Sequence, residues 1–234
     1  MPLATLCADA LARKARMIEL TLPLARRRPT RILCIGAHGD DIEIGCGGTL
    51  LKLLARGGAW DVTWAVFSAD AARAREVHAS ARRFLRRAHA SRVVLHRFED
   101  SYFPAQYGPL KQAFVALKKL PDPDVIFTHE SGDRHQDHRV LSELTWNAFR
   151  RHLVLEYEIP KYDGGLTDPA VFVALTRAQV SAKARALLAS YPSQRAKPWF
   201  TASTFEALMR LRGVEAAAAT GWAEGFHVRK LQLA

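Results

Sequence analysis

The chain has 234 residues, 49% of them hydrophobic and 24% charged, enough to bury a sizeable core and within the usual size of one domain. No apolar run approaches the ~18 residues needed to cross a bilayer, and the start lacks a compact apolar stretch with a small-residue cleavage site, so a cytoplasmic protein with no transmembrane segment is expected. The 34 basic residues outnumber the 23 acidic ones by 11, a field that suits anionic partners or simply solvates an arginine-rich face.

Residues 1–28 read as an amphipathic helix and a basic connector. Leu11, Ala15, Ile18 and Leu22 recur at helical spacing before Pro23 and the run Arg26 to Arg28, and the apolar face would pack on the domain or on a partner. The apolar run Ile32 to Ala37 has the signature of a buried strand. A helix follows from Glu43, with Leu50, Leu51, Leu53 and Leu54 forming its apolar face and Gly57-Gly58 closing it. Next come a strand over Val62 to Phe67, a helix over Ala71 to Ala90, a strand over Arg92 to His96, a helix over Leu110 to Leu120 and a strand over Val125 to Thr128. This alternation predicts an α/β fold, a Rossmann-like and mostly parallel sheet with helices on both faces. In the last third, Leu153 to Ile159 reads as strand, Arg177 to Ala189 as helix, and Thr204 to Arg212 as a helix stopped by Gly213. No linker or internal repeat divides residues 1–234, so one domain is the simplest reading. Cys7, Cys34 and Cys46 show no CxxC pair and no disulfide framework, which fits a reducing compartment.

Two clusters carry chemistry. The first strand runs into His38-Gly39-Asp40-Asp41, at the carboxyl end of a strand, where open α/β sheets bind ligands. Adjacent carboxylates there repel one another unless a cation or a buried proton balances them. Neighbours in a turn point in different directions, so His38 and Asp41 can ligate a metal while Asp40 serves as base. Helix capping by either aspartate is the plain alternative, but it leaves His38 without a role. The second cluster, Asp133-Arg134-His135-Gln136-Asp137-His138, follows the fourth strand. If it is helical, His135 and His138 share a face, one imidazole for the metal and the other for substrate. Two histidines and one aspartate form a nitrogen and oxygen set with an open position, the pattern of catalytic zinc, at which water can lose a proton near pH ~7.

At these residues the sequence resembles the LmbE-like, or PIG-L, family of zinc-dependent N-acetylglucosaminyl deacetylases. The matching pieces are Ala37-His38-Gly39-Asp40-Asp41 with Gly45-Cys46-Gly47-Gly48-Thr49-Leu50, and Asp133-x-His135-x-Asp137-His138. Weaker echoes are Arg73-x-x-Glu76, Tyr191-x-Ser193-Gln194, Arg212-Gly213 and Ala223-Glu224-x-Phe226. The resemblance implies one Zn2+ per chain on His38, Asp41 and His138, with Asp40 as general base. It further implies that His135 stabilises the oxyanion or protonates the leaving amine, that Asp137 orients His135, and that Arg73 contacts substrate. The implied substrate is an N-acetylated amino sugar, with an anionic one favoured slightly by the basic surface. Two departures stand out: Gly39 replaces the proline usual after the first histidine, and Ile42-Glu43 follows the aspartates where many relatives have glutamate at once.

Rival readings are a metal-dependent hydrolase of another amide or ester and a nucleotide-binding module. The second fits poorly, since Leu50 replaces the third glycine of a G-x-G-x-x-G loop and Asp40-Asp41 would repel a pyrophosphate. No helix-turn-helix, zinc-finger spacing or RNA-recognition motif is present, so no specific nucleic-acid partner is expected.

Overall fold

The computed structural model describes residues 17–22 and 28–232. Strand β1 (Thr30–Gly36) is almost wholly buried and sends its residues to two cores in turn. Ile32 and Cys34 join the core on one side of the sheet, Leu33 and Ile35 the core on the other. That is why the run is continuously apolar: both faces of a central parallel strand are covered.

Around it lie helix α1 (Asp41–Ala55), β2 (Trp60–Val66), α2 (Ala71–Phe84), β3 (Ala90–Leu95), α3 (Tyr107–Leu117), β4 (Val125–His129), α4 (Gln136–Ala148) and β5 (Leu153–Tyr157). Then follow β6 (Val171–Ala174), α5 (Arg177–Ser190), α6 (Ala202–Glu215) and β7 (Ala223–His227). The seven strands stand in the order β3-β2-β1-β4-β5-β7-β6. The first five pair in parallel, while β7 runs antiparallel to both β5 and β6. Helices α1, α2, α5 and α6 contribute to one core and α3 and α4 to the other. The expected Rossmann-like α/β sheet is therefore present, and its order reverses between β1 and β4, the place where such sheets bind ligands.

Helix α1 forms against its own propensities, for three glycines at roughly 1 kcal/mol each are poor helix residues. Packing decides the matter. A Cβ at Gly45 would lie 2.2 Å from the Tyr157 ring, at Gly47 2.7 Å from Phe84, and at Gly48 2.6 Å from Leu175. The glycines let β5, α2 and the segment after β6 close on α1 from three sides.

Several expectations need correction. Helix α2 ends at Phe84 rather than reaching Ala90, because Ala90 is already paired with Asp61 at the start of β3. Gly213 does not stop α6 but lies inside it, where a Cβ would sit 2.2 Å from the Gly221 carbonyl oxygen. Strands β6 and β7 were not expected from the sequence. The N-terminal helix falls mainly outside the described residues, and Met17–Leu22 carry no regular secondary structure.

Candidate metal and active site

The chain leaves β1 through Ala37, whose N–H donates to His129 Nε2 at 3.0 Å and so ties the ends of β1 and β4 together. Asp41 closes the turn back on itself, its Oδ2 accepting from the His38 N–H at 2.7 Å. Asp40 occupies the N-cap position of α1 but makes no capping hydrogen bond. Its carboxylate instead meets Arg73 at 3.1 Å.

His38, Asp41 and His138 come together although 100 residues separate the two histidines. His38 Nδ1 lies 3.4 Å from His138 Nε2 and 3.5 Å from Asp41 Oδ2, and the third side, His138 Nε2 to Asp41 Oδ2, is 3.7 Å. The opposite nitrogen of each ring faces a carboxylate. His38 Nε2 is 2.9 Å from Asp100 and 3.3 Å from Asp137, and His138 Nδ1 is 2.9 Å from Asp133, which also receives Lys161 at 2.8 Å. Protons held by those outer carboxylates leave the inner nitrogens as lone pairs, and these converge with a carboxylate oxygen. Three acceptors at such distances repel unless a metal ion or a proton lies among them. A tetrahedral ion with arms of about 2.1 Å would need donors about 3.4 Å apart, which the observed triangle fits.

The same groups dominate the electrostatics of the site. Burial alone would lower the His38 imidazole, but Asp100, Asp137 and Asp41 outweigh it and hold it well above its usual value. Burial alone would raise Asp41, yet His138, His129 and His38 hold its carboxyl well below the usual range. Burial, helped by His129, brings His138 down to about 3. Asp40 is raised, by burial first, with Arg73 opposing.

His135 is the N-cap of α4, its Nδ1 accepting from the Asp137 N–H at 3.3 Å, while its ring stacks on His138 at 4.6 Å. Asp137 therefore meets His135 through its backbone amide. Its carboxylate accepts from the N–H groups of Ser101 (2.7 Å) and Phe103 (3.1 Å) and faces His38. Arg73 reaches Asp40, Glu76 and Ser193 and lies over the Tyr191 ring, so the two weaker sequence echoes on α2 and after α5 are one network.

Sequence reasoning gave no ligand or catalytic role to three groups beside the site, though it placed His129 as a structural or supporting neighbour of the second cluster. Asp100 sits in the loop after β3, held down to about 2 mainly by its hydrogen bond to His38; its only signal was a carboxylate near a strand's carboxyl end. Asp133 stood in the motif without a role. His129, the last residue of β4, stacks flat on His138 at 3.8 Å.

A doubly wound sheet with a histidine and carboxylate cluster at its switch point defines an α/β protein with a candidate metal centre. A family described as PIG-L, GlcNAc-PI de-N-acetylase, matches residues 33–149, half of the chain, and the chain belongs to that family. It is 29% identical over 154 residues to the uncharacterised deacetylase YaiS of Escherichia coli strain K12, covering 62% of this chain and 82% of that one. Among solved structures, the N,N'-diacetylchitobiose deacetylase of Pyrococcus horikoshii is 18% identical, with a TM-score of 0.59 over 98% of this chain and 94% of that one. A zinc-inhibited form of the teicoplanin deacetylase Orf2 is 17% identical, with a TM-score of 0.65 over 88% and 100%. The 4-carboxy-2-hydroxymuconate hydratase GalB of Pseudomonas putida KT2440 is 16% identical, with a TM-score of 0.65 over 88% and 98%. These structures share the fold, and GalB demonstrates that the fold alone does not choose the reaction.

Proposed function

We propose that this protein hydrolyses the acetamide of an N-acetylated amino sugar, releasing acetate and a free amine, with one zinc ion held by His38 Nδ1, Asp41 Oδ2 and His138 Nε2. The observation that carries the reading is the triangle of inward-facing acceptors, 3.4 to 3.7 Å on a side, beside a buried carboxylate that caps nothing. Membership of a de-N-acetylase family supports the choice of amide. Zinc in such a set supplies Lewis acidity, polarising a carbonyl and bringing the acidity of water toward pH ~7.

The remaining steps fall to the chain's own groups. Asp40, held by Arg73 and kept off its own helix N-terminus, takes the proton from the attacking water, and that proton passes to the departing nitrogen as the C–N bond breaks. His135 has its Nδ1 occupied by the Asp137 amide, so its proton resides on Nε2, from which it donates to the carbonyl oxygen as negative charge develops. Asp133, Asp137 and Asp100 hold the two ligand rings in the tautomers that point lone pairs inward. Arg73 reaches toward substrate from the cavity wall it shares with His38.

A second reading is hydrolysis of another amide or an ester, because the fold is shared with a protein of a different reaction, the hydratase GalB, and does not by itself choose the substrate. An acetate-release assay over N-acetylated sugars, peptides and simple esters, with and without chelator, separates the two. Asp40→Asn is expected to keep its metal and lose about 10²- to 10⁴-fold in turnover. Near-normal acetate release by that variant, or activity that survives removal of metal, would sink the proposal.

A further inference from the structure

Beside the centre, toward β2 and β3, lies a cavity of about 400 Å3 whose walls include His38, Ser68, Asp70, Arg73, Arg97 and Phe98. Its charged groups are nearly all committed. Asp70 caps α2 by accepting from the Arg73 N–H at 2.8 Å, Asp100 is bound to His38, and the Arg73 guanidinium is shared among Asp40, Glu76 and Ser193. The exception is Arg97, whose side chain makes no hydrogen bond or ion pair among the described residues.

Its backbone, by contrast, is firmly held. Arg97 pairs with Ser68 in an isolated bridge, the Ala69 N–H donates to the His96 carbonyl at 3.2 Å, and the Phe98 N–H to the Phe67 carbonyl at 3.0 Å. Phe98 stacks on Phe67 and supplies an apolar wall next to the cation. A free arginine on open surface is ordinary. One anchored at the rim of the cavity that holds a candidate zinc ligand offers a five-donor fork to whatever enters.

We infer that Arg97 receives an anionic oxyacid group of the substrate, a carboxylate or a phosphate, placed on the β2 and β3 side of the reacting acetamide. This rests on the reading of an N-acetylated sugar substrate given above. A guanidinium there, with no carboxylate directly engaging it, favours acidic N-acetyl sugars over neutral ones and disfavours cationic ones.

The test compares N-acetylglucosamine 1-phosphate and N-acetylmuramic acid with the neutral methyl glycoside of N-acetylglucosamine, on native protein and on Arg97→Ala, Arg97→Lys and Arg86→Ala. Arg86 is an exposed residue beyond the C-terminus of α2 and controls for overall charge. The expected result is a fall of about tenfold in the ratio of kcat/KM, acidic over neutral, for Arg97→Ala, with partial recovery in Arg97→Lys and no change in ratio for Arg86→Ala. Preference for the phosphate or for the carboxylate sugar distinguishes the two sources of charge. Calorimetric binding of the same sugars to chelated protein supplies the readout that needs no turnover. Acetate release with an unaltered ratio overturns the Arg97 site while leaving the deacetylase reading intact. Arg97-dependent binding of acidic sugars without acetate release does the reverse.

Discussion

Two buried ionic clusters lie along helix α1, and they differ in one respect. Midway along it, the Glu224 carboxylate accepts the N–H groups of Gly48 (2.8 Å) and Thr49 (2.6 Å) and the ammonium of Lys183 (2.7 Å), while Lys183 also donates to the Ile44 carbonyl at 2.6 Å. Lys183 and Glu224 thus meet the carbonyl and the amide of one helical turn, at Ile44 and Gly48. Charge and hydrogen bonds are balanced within the cluster. At the N-terminus of the same helix, a carboxylate oxygen of Asp41 and one nitrogen each of His38 and His138 converge to 3.4–3.7 Å of one another, with no lysine or arginine bonded to these three atoms among the described residues. Comparable groups in comparable burial thus suit two ends: the closed cluster holds the helix in place, and the open one is the candidate metal centre.

The sharpest way to break this contrast is to remove a donor from the open cluster. Asp41→Ala is expected to abolish metal binding and lower activity by at least about 10³-fold, several kcal/mol of transition-state stabilisation. Its thermal stability without metal is expected to fall modestly, because the histidines that hold this carboxyl below the usual range lose their partner and the His38 N–H loses its acceptor. Calorimetric unfolding and metal content, measured together, would show whether that split holds. In the closed cluster the balance reverses. Glu224→Ala leaves Lys183 buried without its counter-ion and should cost about 3–5 kcal/mol of stability. Denaturant titration reads that loss, and surviving folded enzyme is expected to keep most of its turnover. The mildest change concerns the carboxylates outside the triangle. Asp133→Asn keeps the shape around His138 but weakens the hold on its ring, for an expected 10- to 100-fold loss in metal affinity by competition with a chelator. A loss of folding comparable to that of Glu224→Ala would mean that Asp133 belongs to the closed kind of cluster after all.

The alternating strands and helices up to β5 could be read from the chain because each parallel strand is a short apolar run covered on both faces. The antiparallel edge could not. Val171–Ala174 is a four-residue strand of intermediate burial, and Ala223–His227 contains Glu224 and Gly225, which argue against a strand until their partners on α1 and Pro169 are seen. Gly213 looked like a helix stop because a local rule was applied where a long-range contact decides. At the site, His38, Asp41 and His138 were legible from local spacing and strand-end position. The reach of Asp137 was not, since its carboxylate is committed to a loop some 35 residues earlier. Asp100 was hidden for the same reason: exposed acids in loops are common, and only the fold brings this one to His38.

The near-total enclosure of α1 also has a bearing on how the protein moves. Of its 15 residues 12 are buried, the first among them Asp41. A rod gripped on all sides cannot swing out by itself, so no local opening frees its middle amides for exchange with solvent; that takes unfolding of the whole molecule. The loop bearing Asp100 and Ser101 is tied down as well, with the Ser101 N–H donating to Asp137 and Asp100 meeting His38, and Ser101 there takes a positive φ of 70°. The exchange rate of the Cys46 to Leu50 amides becomes a clock for global unfolding, running independently of events at the mouth of the site.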